Sequence, residues 1–349
     1  MNFLERVQKL PHLGIGISTE YGAGDDPRAL DLEELALRHP EYAGFLEIGI
    51  ETDSGLDEHA ERWLRAGRPA TYHFLDVNLD EPADFDPAWL AEVRALVERI
   101  RPAWLCGDAG MWHFGGREPG HMLLLPPILC HEAARALAEG VRRLRDAIGC
   151  EVLPENPPGV VFLGDLHLLD FFARACEEAD TGMLLDCAHL AIYQKNHRLK
   201  PLTGLDRFPL ERVVELHVAG ATERNVEGMS FVDDDHTTNV LEETWRIFEH
   251  VVPRCPNLRA VVFECERNPL SETLAGFARI ASVCGKKTDP GAGGGKRDRE
   301  TIAAAGPRPS AETRDPRTDT GISSGNDDCY PRHLDAVYAR SLARAWEEE

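Results

Sequence analysis

The feature that most constrains this chain is a repeated alternation. Eight short apolar runs, each long enough for one buried strand, are separated by longer segments of helical periodicity. The runs are Leu13–Ile17, Phe45–Ile50, Ala70–Leu75, Ala103–Cys106, Glu151–Leu153, Gly182–Leu185, Val213–Val218 and Ala260–Phe263. The clearest helix covers 131–148, where Ala134, Leu137, Val141, Leu144 and Ile148 recur on one stripe. Further helices are predicted near 30–39, 57–68, 88–100, 166–178, 239–252 and 270–283. Eight strand–helix units within residues 1–285 match the size and order of an α/β fold, the (β/α)8 TIM barrel. A doubly wound open sheet is the alternative architecture. Gly14-Ile15-Gly16 does not make a nucleotide loop, because Thr19 stands where the third glycine belongs.

Beyond the eighth unit the composition changes. Residues 286–326 are rich in Gly, Pro, Thr and charge with almost nothing to bury, which predicts a disordered linker. Leu334, Val337, Tyr338, Leu342 and Trp346 then fall at helical spacing, so 327–349 should form a short amphipathic helix that docks on its own barrel or on a partner. The net charge of −22 argues against a nucleic-acid partner, since phosphates are repelled. No apolar run approaches the ~18 residues of a membrane span, and MNFLERVQKLPHLGIGIS lacks the apolar core of a signal peptide. Nine cysteines without a CxxC pair argue against a disulfide framework and for buried thiols in a reducing cytoplasm.

In a barrel of this kind the reactive groups come from the C-terminal ends of the strands. Here those ends are rich in acids and histidines. The second strand carries Glu47, with Glu51 just after it, and the third ends at His73. The fourth leads to Asp108, the fifth to Glu155-Asn156, and the sixth to Asp186 with His189 three residues on. The seventh ends at His217 and is followed by Asp233-Asp234-Asp235-His236; the eighth ends at Glu264, with Glu266 two residues on. One such residue is normally scaffold. So many buried like charges would cost on the order of several kcal/mol each without compensation, and polyvalent cations remove that cost. Metal ligands are therefore expected at His73, Asp108, Glu155, Asn156, Asp186, His189, His217, Asp234, His236 and Glu264, with Glu47 and Glu266 in or beside the set. His113 and His121 follow the fourth strand and are candidates for the pocket. His12, His39, His59, His167, His197, His250 and His333 read as surface residues.

Carboxylates with imidazoles suit iron, manganese or zinc, and these ligands exceed the need of one ion, so two or three metals are expected. A divalent-metal barrel hydrolase or sugar isomerase would use the same ligand types without redox chemistry. The acidity argues against a phosphodiesterase acting on DNA, and no lysine stands at a strand end as a sugar isomerase would want.

Several short segments, in this order, resemble the multinuclear non-haem iron-dependent oxidases, the family that includes the methanobactin-biosynthesis oxidase. They are Leu13-Gly14-Ile15-Gly16, Phe45-Leu46-Glu47-Ile48, Tyr72-His73, Pro154-Glu155-Asn156, Leu184-Leu185-Asp186, Glu215-Leu216-His217-Val218-Ala219-Gly220, Asp234-Asp235-His236 and Phe263-Glu264. The resemblance covers about Leu13 to Leu270. It implies a xylose isomerase-like barrel and a mixed Fe(II)/Fe(III) cluster with dioxygen as co-substrate. It implies oxidation of a Cys, Asp, Asn or aromatic side chain of a ribosomally synthesised precursor peptide, beside a leader-binding partner protein that forms a heterodimer. Asp108, His189 and Glu264 are then the expected catalytic residues. Two segments depart from the family pattern: Gly107-Asp108-Ala109-Gly110 lacks the histidine that often follows the acid, and Cys187-Ala188-His189 replaces Asn-Asn after Asp186.

Overall fold

A computed structural model describes residues 1–19, 29–117, 123–226 and 229–287. His121 and the expected C-terminal helix lie outside the described residues, as does the expected linker except for Lys286 and Lys287, which continue the last helix.

In chain order the elements are α1 (Phe3–Arg6), β1 (Gly14–Thr19), α2 (Leu32–Arg38), β2 (Leu46–Ile50), α3 (Glu58–Arg65), β3 (Ala70–Phe74), α4 (Pro87–Ile100), β4 (Leu105–Asp108), α5 (His131–Ile148), β5 (Val152–Glu155), α6 (Leu168–Ala179), β6 (Met183–Asp186), α7 (Cys187–Asn196), β7 (Val213–Ala219), β8 (Ala221–Val226), β9 (Met229–Asp234), α8 (Glu242–Val251), β10 (Ala260–Glu264) and α9 (Leu270–Lys287). Strands β1 to β7 and β10 close into a barrel in the order β1-β10-β7-β6-β5-β4-β3-β2. Every neighbouring pair in it is parallel, as helical crossovers require. The fold is the (β/α)8 barrel, not the open sheet.

The barrel strands are buried on both faces, which is why they read as apolar runs rather than alternations. Their outer faces pack against one continuous core that includes Trp63, Trp89, Phe171, Phe172, Phe248 and Phe277. Inside, the N-terminal end is plugged by Phe3, Val7 and Leu13 against Phe45, Trp104, Leu153, Leu184 and Val262. Helix α1, which carries Phe3, is held by a capping box between Asn2 and Glu5 and by Arg6, paired with Glu151 at 2.6 Å and Asp180 at 3.0 Å. Asp31, Asp57 and Asp86 accept from the first-turn N–H groups of α2, α3 and α4.

Three features differ from the sequence expectation. Strands β4, β5, β6 and β10 run on to Asp108, Glu155, Asp186 and Glu264, past the ends at Cys106, Leu153, Leu185 and Phe263. The apolar pattern stops at the acids, but the ladder does not: Asp108 is still in register with Glu155 and Asp186 with His217. Helix α7 has no expected counterpart, because Cys187 to Gln194 are all buried and leave no polar face to give a period. The β8–β9 hairpin has none either; Glu223, Arg224 and Asn225 are exposed and carry no strand-like alternation.

One glycine marks how closely α5 meets the barrel. A Cβ on Gly140 would run into the backbone carbonyl of Leu79. Gly→Ala in a helix interior ordinarily gains about 0.5–1 kcal/mol. Here Gly140→Ala should instead lose about 1–3 kcal/mol, as overpacking does. Urea denaturation of both proteins reads the sign; a more stable variant contradicts the packing described.

Candidate metal centre

The strand register brings the ligand-type residues to one level. Neighbouring strands present Asp108 beside Glu155 and Asp186 beside His217, with His73, Glu47 and Glu264 on β3, β2 and β10. All seven are buried. The imidazole of His217 sits among four acids: Nε2 lies 3.2 Å from Glu47 Oε1, and Nδ1 lies 3.2 Å from Glu264, 3.4 Å from Glu155 and 3.8 Å from Asp186. His73 Nε2 is 2.8 Å from the other oxygen of Glu155.

A second layer lies nearer the mouth. Asp186 caps α7 by accepting from the N–H of His189, and this turns the His189 ring back over the barrel. Its Nδ1 is hydrogen-bonded to the Asn156 carbonyl at 2.9 Å and its Nε2 is 3.2 Å from Asp234. The hairpin supplies Asp234, which also meets His236 Nε2 at 3.2 Å. His236 has φ +50, a conformation that costs a residue with a side chain on the order of 1–3 kcal/mol. Two contacts hold it there: Glu266 at 2.8 Å on Nδ1, and Asn268 Nδ2 donating to its carbonyl at 2.8 Å.

Several of these contacts are close without being hydrogen bonds. Glu47 Oε1, Glu155 Oε1, Asp186 Oδ2, both ring nitrogens of His217, Asp234 Oδ1 and Glu264 Oε2 are buried with no hydrogen-bond partner. Atoms that face one another this way fit cations better than they fit each other. Four acid–imidazole triads among the described residues bring their ligand atoms within 4.8 Å of one another: Glu47–His217–Glu264, His73–Asp108–Glu155, Glu155–Asp186–His217 and Asp186–His189–Glu264. They share Glu155, Asp186, His217 and Glu264, so bridged ions suit the donor set.

Protons neutralise part of the cluster when no cation does. Burial pushes the His217 imidazole toward its neutral form, but Glu47, Glu264 and Glu155 overcome this and raise its pKa well above the ordinary value. His189 and His236 are raised in the same way by the acids around them, against burial. Burial pushes the Glu264 carboxyl up to about 8 despite His217 and His236. Burial likewise raises Asp186. For Glu155 and Asp234 burial is outweighed by their imidazole neighbours, and both carboxyls are held below the usual range.

Two expected residues are placed differently. Asn156 is buried, but its side chain both donates to the Asp186 carbonyl and accepts from the Asp186 N–H, each at 3.0 Å. It therefore supports the backbone of Asp186, which uses one of the two acceptor sites of Asn156 Oδ1. His113 turns away to Asp84 and the Gly115 carbonyl, both at 2.9 Å. Glu47, expected in or beside the set, meets it through His217. Below it, Glu215 and Cys106, which are not strand-end residues, complete a further buried group with Glu47. Cys106 Sγ donates to Glu47 at 3.1 Å and Trp104 Nε1 donates to Glu215 at 2.6 Å. The period-two spacing of Glu215 and His217 on β7 would have placed both in the barrel interior.

The cluster opens on a cavity of about 190 Å³ whose lining joins Asp108, His189, Asp234, His236 and Glu264 to Trp112, Leu124, Pro158 and Arg267.

Residues 26–284 match the model of the family described as RiPP precursor modification enzyme MbnB/TglH/ChrH. The chain belongs to that family. It is 28% identical over 274 residues to a UPF0276 protein of Pseudomonas aeruginosa (strain UCBPP-PA14), covering 75% of this chain and 92% of that one. It is 26% identical over 232 residues to a UPF0276 protein of Rhizobium meliloti (strain 1021), covering 63% and 72%. Among solved structures, a xylose isomerase-like TIM barrel protein from Mycobacterium smegmatis in complex with magnesium is 12% identical with a TM-score of 0.46, covering 80% of this chain and 99% of that one. Endonuclease IV from Thermus thermophilus is 17% identical with a TM-score of 0.46, covering 79% and 100%. Among the described residues no helix is long and apolar enough to cross a membrane.

The cluster's charge bears directly on metal uptake. Groups with raised pKa values hold protons near neutrality in the metal-free protein, so metal must displace them. Metal uptake should release protons at pH 7, and affinity should rise as pH is raised through about 8, where Glu264 titrates, and fall on acidification. A pH-stat titration measures this; uptake without proton release contradicts it. His217→Ala should weaken metal affinity by on the order of tenfold or more, because it removes a donor shared by two triads. Metal content after dialysis against graded chelator reads the loss.

Proposed function

We propose that this protein is an iron- and dioxygen-dependent oxidase that modifies one side chain of a ribosomally synthesised precursor peptide. The observation that carries this reading is the overlap of four acid–imidazole triads in one buried cluster, in a member of a precursor-modifying enzyme family. One ion would not need so many donors. Iron suits the carboxylate–imidazole mix and, when bound, supplies redox chemistry with dioxygen and Lewis acidity toward the substrate.

In this reading His73, Asp108, Glu155, Asp186, His189, His217, Asp234, His236 and Glu264 hold two or three ions, with Glu47 joining through its contact to His217. Asn156 fixes the backbone of Asp186, and Glu266 fixes the ring of His236. Such supports set ligand orientation as much as the ligands do. Asp108, His189 and Glu264 line the cavity and so stand next to the reacting side chain, which is a Cys, Asp, Asn or aromatic residue. Trp112, Leu124 and Pro158 give the cavity apolar surface beside the acids and imidazoles.

The cavity, at about 190 Å³, is smaller than the roughly 300–1,000 Å³ of sites that enclose a drug-sized ligand. It admits a side chain and leaves the peptide backbone outside. Peptide capture then falls to surfaces beyond the cavity, in keeping with a leader-binding partner protein. Co-purification with the product of an adjacent gene tests that partner, and full turnover of a leader-bearing peptide by the isolated chain would remove the need for it.

The chemistry is tested by loading the protein with Fe(II) under nitrogen, adding the precursor peptide of its gene neighbourhood, and admitting oxygen. A peptide mass change that needs both iron and oxygen is expected. Equal activity with Zn(II) or Mg(II) in the absence of oxygen would overturn the oxidase reading and favour a divalent-metal hydrolase or isomerase.

A further inference from the structure

One arginine lines the cavity, and its donors are not spent inside the protein. The side chain of Arg267 is 51% exposed, so it stands where the cavity meets solvent. Among the described residues its paired acid is Glu266, with Arg267 Nε 4.0 Å from Oε1, too long for a hydrogen bond. Both oxygens of Glu266 have closer partners: Oε1 meets His236 Nδ1 at 2.8 Å, and Oε2 accepts from Ser18 Oγ at 3.2 Å. The Arg267 guanidinium makes no hydrogen bond to a described residue. Structural arginines of this protein behave otherwise. Arg6 is spent on Glu151 and Asp180, and Arg145 on the carbonyls of Ala179 and Asp180.

The other charged groups of the lining are acids and imidazoles. Asp108, Asp234 and Glu264 belong to the cation-holding set in the reading above. Asp235 is engaged by the Thr222 hydroxyl and by the Thr237 N–H. Arg267 is then the group at the mouth left to meet a charge from outside. Its fork of N–H donors matches a carboxylate, which it can hold by two parallel bonds. On an unmodified ribosomal peptide the side-chain and terminal groups that are anionic near neutrality are carboxylates. Reach agrees with this. Arg267 follows Glu264 by three residues, so their backbones lie at most about 11 Å apart. A residue whose side chain enters the cavity leaves its own main chain at the mouth, with its neighbour's Cα about 3.8 Å away. A net charge of −22 does not draw acidic peptides from a distance, so the recognition is of one carboxylate, at contact.

We propose that Arg267 is a specificity-determining residue of this site and selects peptides that carry a carboxylate at or next to the reacting residue. That carboxylate is the peptide's C-terminus or the side chain of an Asp or Glu. The inference rests on the peptide-modifying reading above, but its test does not depend on oxidation. Random hexapeptides are made as four pools, with a free or an amidated C-terminus and with Asp and Glu included or left out. Each pool is passed over the iron-loaded protein under nitrogen, and retention is read by mass spectrometry. The wild type should retain a carboxylate-bearing pool roughly tenfold or more over the amidated pool without Asp and Glu, the worth of one charge-assisted pair. A preference for the free C-terminus among pools without Asp and Glu identifies the terminal carboxylate. A preference for Asp and Glu among the amidated pools identifies a side chain. Arg267→Gln should lose most of the preference, and Arg267→Lys, which keeps the charge without the fork, should keep part of it. Arg254→Gln removes an exposed charge that does not line the cavity and should leave the preference unchanged. Iron content and thermal midpoint are measured for each variant, so that a folding or loading defect is recognised. No preference in the wild type would overturn the proposal. So would an equal loss in Arg254→Gln, or a preference that survives Arg267→Gln, as a carboxylate held by the metal alone would give. A failed oxygen reaction with the preference intact would count against the oxidase reading alone.

Discussion

The imidazole of His217, buried in the barrel interior and enclosed by Glu47, Glu155, Asp186 and Glu264, is the interaction on which the rest depends. Four carboxylates around one ring cannot all be ionised there without positive charge among them. The metal-free chain answers with protons, on the imidazoles and on Glu264. Cations answer better, because they also satisfy the oxygens that lack hydrogen bonds. The cluster is therefore costly as a piece of barrel core and coherent as a metal cage. The apolar plug below it, from Phe3 to Trp104, and the helical shell outside supply the stability that such a cage does not.

The barrel also accounts for how the candidate ligands are held. Parallel register sets Asp108 beside Glu155 and Asp186 beside His217 without any special local device. Residues outside the register need one. His189 depends on the Asp186 cap, His236 on Glu266 and Asn268 to keep its left-handed backbone, and Asp234 on the hairpin. Strand-borne candidate ligands are thus fixed by the fold, and loop-borne ones by hydrogen bonds that can be removed one at a time.

Much of this was legible in the sequence, for identifiable reasons. Buried parallel strands leave apolar runs, and strand ends in a barrel point to one mouth, so the acids and histidines after those runs could be gathered before any coordinates. What escaped notice had no period to betray it. Helix α7 is buried all round, and the hairpin is polar where strands are usually apolar. Asn156 and Glu155 look alike as candidates in sequence; the bonds of the amide to the Asp186 backbone, contributed by the next strand, appear only in the fold. His113 lies in the loop that follows Asp108, yet Asp84, contributed by the segment between β3 and α4, draws it away. Glu215 lies one layer below the strand ends, and only its period-two spacing from His217 marks it as facing inward.

The most direct test of a shared, multi-ion cage is anomalous diffraction at the iron edge from crystals of protein prepared and loaded with Fe(II) under nitrogen. The account predicts two or three peaks inside the barrel mouth, with Glu155, Asp186, His217 and Glu264 within bonding distance of them and at least one of these residues touching two. A single peak held by one triad, or iron bound away from His217 altogether, would contradict it.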